Sequence, residues 1–312
     1  EAGESFYSQS ARWDVTVTAP ADQQLITTGT QVASTTLGDQ QTLRFRDTHA
    51  RDFLVVAARD YAMQSRTVDG TNVRVWTPRD QAETGARMLD VAASSLAFYN
   101  ARYGPYGRDE YDVIGVRGMG GGMEFPGIVL DDMRTSSGYL REVVAHETGH
   151  QWFYSNVGNN QFDDPWLDES FTSFITSEYL RSSPRRVAQA LAPGFAQRTG
   201  IRFAPQPPVT NREPIRVSSP MHVLMRGDYF GKIYRDGAQV LANLKQEIGE
   251  DAFVRGMRSH IERNRDGFAS TSGFISTMSE AAGRDLTAWF TQAGVSADEP
   301  HANDHLDPNG QI

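Results

Sequence analysis

Apolar and polar positions alternate through the first third of the chain, at Trp13-Val15-Val17, Leu25-Thr27, Leu43-Phe45, Phe53-Val55-Ala57 and Val73-Val75. Pro20, Gly29, Gly38 and the pair Asp69-Gly70 punctuate these runs, so antiparallel β structure is expected here. The period changes between Asp80 and Tyr103, where Met88, Val91, Leu96 and Tyr99 recur at helical spacing. A short apolar strand follows from Tyr111 to Val116. A glycine-dense turn, Gly118 to Gly122, then leads to a second apolar stretch from Gly127 to Leu130. Beyond Ser136 the pattern is helical, apart from a Pro/Arg-containing segment between Ala192 and Met221, read as an irregular excursion, and a polar tail from Ser296 to Ile312. The order is a β layer, a mixed α/β part and a helical part: an α+β chain with a boundary expected near residue 66.

Composition narrows the chemistry. The chain has 312 residues and no cysteine, so a disulfide framework, a thiol nucleophile and a Cys-ligated metal are excluded, and any metal must rest on His, Asp or Glu. The net charge of -9 and the absence of a Lys/Arg cluster interleaved with aromatics argue against nucleic acid as a partner. No window reaches the roughly 18 apolar residues a membrane span requires, and none is expected. The chain opens Glu1-Ala2-Gly3 without a methionine, which reads as processing or truncation. Together with the missing cysteine it leans towards a secreted or cell-envelope setting. Oligomeric state has no signature in the pattern.

The strongest chemical signal is His146-Glu147-Thr148-Gly149-His150. Residues four apart share a helix face, so both imidazoles can point at one centre, the H-E-x-x-H arrangement of zinc peptidases. A catalytic zinc ion needs a third protein ligand and an open fourth position. After 18 further residues comes Glu169. Gly158-Asn159-Asn160 is expected to end the first helix, and Asp164-Pro165 to open a second, with Glu169 in its second turn. His146, His150 and Glu169 are therefore the expected ligands of one Zn2+ ion. Zinc acidifies a water and polarises a carbonyl, and Glu147, pointing away from the ligands but close to them, can act as general base. The reaction class is metal-assisted amide hydrolysis.

These residues resemble the aminopeptidase N-like zinc metallopeptidases, the M1 family of gluzincins. The resemblance rests on H-E-T-G-H followed by Glu169, on His150-Gln151-Trp152-Phe153 and Pro165-Trp166-Leu167-Asp168-Glu169, on Gly121-Gly122-Met123-Glu124, and on Tyr234-Arg235-Asp236-Gly237. It implies a thermolysin-like catalytic domain, a small mixed β-sheet plus a helical lobe, over residues 67–295. Residues 1–66 would be the C-terminal remnant of a larger antiparallel β domain and 296–312 a polar tail. Gly121, Gly122 and Met123 would form a substrate-binding strand, and Glu124 would hold the substrate's N-terminal ammonium, a role a carboxylate also suits on chemical grounds. Tyr234, favoured over Tyr229, would donate to the oxyanion. Phe125 stands where the family motif has asparagine, and Asp236 where it has lysine.

The function expected from this set is removal of N-terminal residues from peptides with a free N-terminus. The rivals are an endopeptidase of the same fold, in which Glu124 reads no amine, and a non-catalytic peptide-binding module. His49, His222, His260, His301 and His305 belong to no ligand set, and Met221 and Met225 read as packing residues.

Overall fold

The computed structural model describes residues 7–134, 136–182, 217–218 and 229–296. Apart from Val217 and Ser218, the expected excursion after Ala192 lies outside the described residues, as do the tail beyond Ser296 and the residues His222, Met225, His301 and His305. The chain is of mixed α+β type.

Seven strands come first: β1 (Ala11–Pro20), β2 (Gln24–Thr27), β3 (Thr30–Leu37), β4 (Gln40–Ala50), β5 (Val55–Ala58), β6 (Tyr61–Val68) and β7 (Thr71–Pro78). Their pairings with one another are antiparallel, β1 and β3 flanking β4, β2 against β5, and β6 against β7. Alternation does not reveal β3, because all eight of its residues are exposed and no face is selected as apolar. Residue 66 lies within β6, which belongs to the next sheet, so the change of sheet falls between β5 and β6.

That next sheet is mixed, in the order β6-β7-β8-β10-β9, with β8 (Glu110–Val116), β9 (Gly122–Met123) and β10 (Ile128–Asp132). β7, β8 and β10 run parallel, while the short edge strand β9 runs antiparallel to β10. β8 is buried on both faces, which explains its unbroken apolar run. Tyr111, Val113 and Val129 face the main core, whereas Ile114 and Ile128 pack on the opposite face with Ile26 and Phe125.

Helix α1 (Ala82–Tyr103) covers the sheet with Met88, Leu89, Ala92, Leu96 and Tyr99. α2 (Ser137–Gly149) and α3 (Trp166–Ser182) follow. A π-helical segment, Gly231–Gly237, runs into α4 (Ala238–Ile248), and α5 (Glu250–Asn264), α6 (Thr271–Ala282) and α7 (Thr287–Gln292) complete the helical part.

Aromatic packing locks α3 in place. The Phe171 ring meets Phe153 at 5.1 Å, Trp166 at 5.2 Å and Phe274 at 4.7 Å between centroids, separations favourable beyond area burial alone. His260 completes this cluster beside Phe171 and Phe274, and burial pushes it down to about 4, so it packs as a neutral ring. At the far end of α3, burial alone would raise the Glu178 carboxyl, but hydrogen bonds from Arg102, Lys245 and Tyr103 outweigh it and hold it below its ordinary range. This buried junction ties α1, α3 and α4 together. Among the described residues no helix is long and apolar enough to cross a membrane.

Candidate metal centre

The helix carrying the histidine pair is shorter than expected. α2 ends at Gly149 and His150 is its C-cap, still in helical conformation. Gly158, expected to end that helix, instead belongs to β11 (Val157–Gly158), which pairs with β12 (Gly267–Phe268). The intervening turn is held by hydrogen bonds such as Asp266 N–H to Asn156 O and Ala269 N–H to Gly158 O, long-range pairings that local propensity cannot supply. α3 does open after Pro165, but Glu169 sits in its first turn rather than the second.

These two helix ends bring His146, His150 and Glu169 together. His146 Nε2 lies 3.0 Å from Glu169 Oε2 and 3.0 Å from His150 Nε2, and the third edge, His150 Nε2 to Glu169 Oε2, is 3.5 Å. Donors at about 2.0–2.1 Å from a tetrahedral centre would stand roughly 3.3 Å apart. The two nitrogens and one oxygen thus fit a tetrahedral divalent metal, and with no sulfur in the set the donor chemistry is that of a His-His-Glu site. All three residues are buried.

The surroundings prepare the ligands. Asp168 accepts from His150 Nδ1 at 2.6 Å, which fixes the ring so that Nε2 presents its lone pair to the cluster. Gln161 Nε2 donates to the other Asp168 oxygen. Burial lowers His146 towards the neutral form a ligand requires. Burial would lower His150 too, but Asp168, Glu124 and Glu169 outweigh it and raise that group. Burial alone would raise Glu169, yet the two histidines hold it well below the usual carboxylate range.

Glu147 is not part of the ligand triangle: its side chain lies against β9, with a carboxylate oxygen within 4.8 Å of a His150 ring nitrogen. A Cβ added at Gly122 would stand 2.4 Å from Glu147 Cγ and 2.5 Å from its Cδ and Oε1. Only glycine lets β9 lie flat against this carboxylate. Gly122→Ala is therefore expected to push Glu147 aside and cut turnover by about 10- to 100-fold with metal content unchanged, since displacements near 1 Å are that costly; steady-state kinetics alongside elemental analysis checks it. Met123 pairs with Leu130, and the Gly121 carbonyl accepts from Asp132 N–H. Glu124 is buried, and one of its oxygens lies within 4.8 Å of ligand atoms on both Glu147 and His150.

Tyr234 comes from the π-helical segment, a type of turn often found at functional sites. Its ring stacks on His146 at 5.9 Å and its hydroxyl donates to Glu169 Oε1. Tyr229 is buried too, its ring edge-on to that of Tyr234 at 6.4 Å between centroids. Asp236, at the position where lysine was expected, pairs with Arg235.

Several residues at this centre were missed in the sequence. Gln151 anchors the segment after β9, with Gly127 N–H donating to its Oε1 at 2.9 Å and its Nε2 donating to Phe125 O at 3.2 Å. The backbone is thus held although Phe125 has no polar side chain to hold it. Asp132 Oδ2 accepts from the amides of Gly118 and Gly120, and Tyr139 Oη donates to Gly120 O, fixing the glycine turn. Asp131 stands in β10 between Gly115 and Gly122, fully buried, with both carboxyl oxygens lacking a partner among the described residues. Burial pushes it well up, and it in turn raises Glu147, for which burial is also the main cause. Arg51 reaches from the N-terminal β part to the Asn159 carbonyl at 2.9 Å, stacked on Tyr154 and Phe268. Of these, Gln151 alone had a usable signal, its place beside His150, as Asp168 had beside Glu169.

Comparison with known proteins gives the same neighbourhood. The model of the peptidase family M1 domain matches residues 87–292. The chain is 27% identical to aminopeptidase N of Lactococcus lactis subsp. lactis over 74% of its own length and 29% of that protein. It is 29% identical to aminopeptidase N of Caulobacter vibrioides over 79% of its length and 30% of that protein. With aminopeptidase 2 of Candida albicans the identity is 25%, over 90% of this chain and 32% of the relative. The chain spans about a third of the length of these curated relatives.

Proposed function

We propose that this chain, which belongs to peptidase family M1, is the catalytic part of a zinc-dependent aminopeptidase with a thermolysin-like active-site domain. The observation that carries the reading is the three-donor triangle with Glu147 beside it and Glu124 one step further along the glycine strand. His146, His150 and Glu169 would hold one Zn2+ ion, which when bound supplies a water of lowered pKa and a Lewis acid for the scissile carbonyl.

The protein's own groups do the rest. Glu147 takes the proton of the attacking water and carries it to the leaving amine. The Tyr234 hydroxyl, already directed at the ligand set, donates to the oxyanion as charge develops there. Glu124 takes the substrate's ammonium through charge-assisted hydrogen bonds. Because that carboxylate stands beside Glu147 and His150, a peptide bound by its amine has only one bond within reach of the base. This geometry supports removal of a single N-terminal residue rather than internal cleavage.

A panel of aminoacyl amides with free and acetylated N-termini tests the reading. The zinc-loaded chain is expected to cleave the free-amine set, and acetylation should cost at least about 100-fold, the value of a lost charge-assisted contact and of a buried carboxylate left unpaired. Equal cleavage of the blocked set would make it an endopeptidase. Stoichiometric zinc without hydrolysis of either set would make it a binding module.

A further inference from the structure

Ser170 follows Glu169 in α3 and is fully buried. Its hydroxyl donates to the carbonyl of Ile233 at 2.7 Å, the ordinary length of a good O–H···O bond. Ile233 immediately precedes Tyr234 in the π-helical segment. The same hydroxyl lies against Gly237, where an added Cβ would stand 2.0 Å from Ser170 Oγ and 2.7 Å from its Cβ.

Ile233 and Gly237 are four residues apart, the spacing at which a carbonyl and an amide bond each other in an α-helix. In π-helical bonding the Ile233 carbonyl is directed instead at residue 238, five positions on. Ser170 is therefore wedged between the two groups that α-helical winding would join, and it gives the Ile233 carbonyl a donor from outside the segment. A side chain inserted into the i→i−4 ladder is a known cause of local departure from α geometry.

The winding decides where Tyr234 points. One residue of helical register is about 100° of rotation. Rewinding the segment as α-helix, with α4 held in place, would turn Tyr234 by about that much. Its ring would leave His146 and its hydroxyl would leave Glu169 Oε1, the contacts it now makes.

We propose that Ser170 is a positioning residue, which locks the π-helical register that aims the Tyr234 hydroxyl at the reacting carbonyl, while Gly237 leaves the space the lock requires. The inference rests on the oxyanion role given to Tyr234 above.

The test compares zinc-loaded Ser170→Ala with the unsubstituted protein, and Ser170→Ala/Tyr234→Phe with Tyr234→Phe. Ser170→Ala alone is expected to lower kcat by about 10- to 100-fold, the cost of a misplaced catalytic group, with KM and zinc content within about twofold. In the Tyr234→Phe background it should change kcat by less than about twofold, because the group it positions is already gone. Gly237→Ala, whose methyl takes the space of the hydroxyl, should reproduce the loss. A crystal structure of zinc-free Ser170→Ala gives a readout that needs no turnover: the segment should be α-helical at Ile233, with the Tyr234 hydroxyl turned away from Glu169. A π segment unchanged in that crystal overturns the proposal. So does an equal loss of kcat in both backgrounds, or a loss of zinc in proportion to the loss of rate. A rewound segment with unchanged kcat would leave the lock standing and overturn the oxyanion role of Tyr234.

Discussion

Replacing Glu147 with glutamine is expected to reduce hydrolysis by about 10³-fold or more, within the range a positioned general base contributes, while the protein keeps its fold and its zinc. Glutamine has nearly the same volume, so the close contact with Gly122 is preserved. The ligand triangle does not include Glu147, so its three edges have no reason to change. What disappears is the ability to accept a proton from water and return it to the leaving amine. Turnover measured together with zinc content decides the matter. Full activity in the variant would remove Glu147 from the mechanism, and loss of zinc along with activity would make it a support of the metal set instead.

Tyr234→Phe is expected to lower kcat by about 100- to 1000-fold, the usual cost of one oxyanion donor, with little change in KM. Phenylalanine keeps the ring that stacks on His146, so only the hydroxyl and its hydrogen bond to Glu169 are lost. Tyr229→Phe serves as the comparison, since that buried ring packs edge-on against Tyr234 at 6.4 Å between centroids; it should leave kcat within about twofold. A fall in zinc affinity that tracks the fall in rate would recast Tyr234 as a group that orients Glu169. An unchanged rate would return it to the core.

Much of this site was legible in one dimension because its spacing follows helical geometry. His146 and His150 share a face by virtue of the period alone, and Glu169 was found because Pro165 and the apolar residues around it mark a second helix start. The same motifs carried the family resemblance that the M1 domain match bears out. The helix ends were misjudged for a common reason. α2 stops at Gly149 because the backbone after it pairs with β12, more than 100 residues along the chain, and no local pattern announces such a partner.

The glycines divide the two kinds of information most clearly. Gly121 and Gly122 were noted as a strand that lets substrate approach. Contacts across the fold add a second reason for Gly122, which is that Glu147 fills the space a side chain would take. Likewise Phe125 looked like a lost anchor until Gln151, from beyond the end of α2, supplied the hydrogen bonds to the adjoining backbone. Tyr234 could be chosen by motif, but its aim at Glu169 depends on a π-helical segment that apolar periodicity reads as ordinary helix.

By itself the sequence determined the residue types able to bind a metal, their order, and the elements that carry them, because side-chain chemistry and backbone period are local properties. The tertiary structure alone decided that three donors meet within 3.5 Å, that Asp168 orients His150, and that Glu147 fills the space beside Gly122. Those facts depend on distances between segments far apart in the chain, which only packing sets.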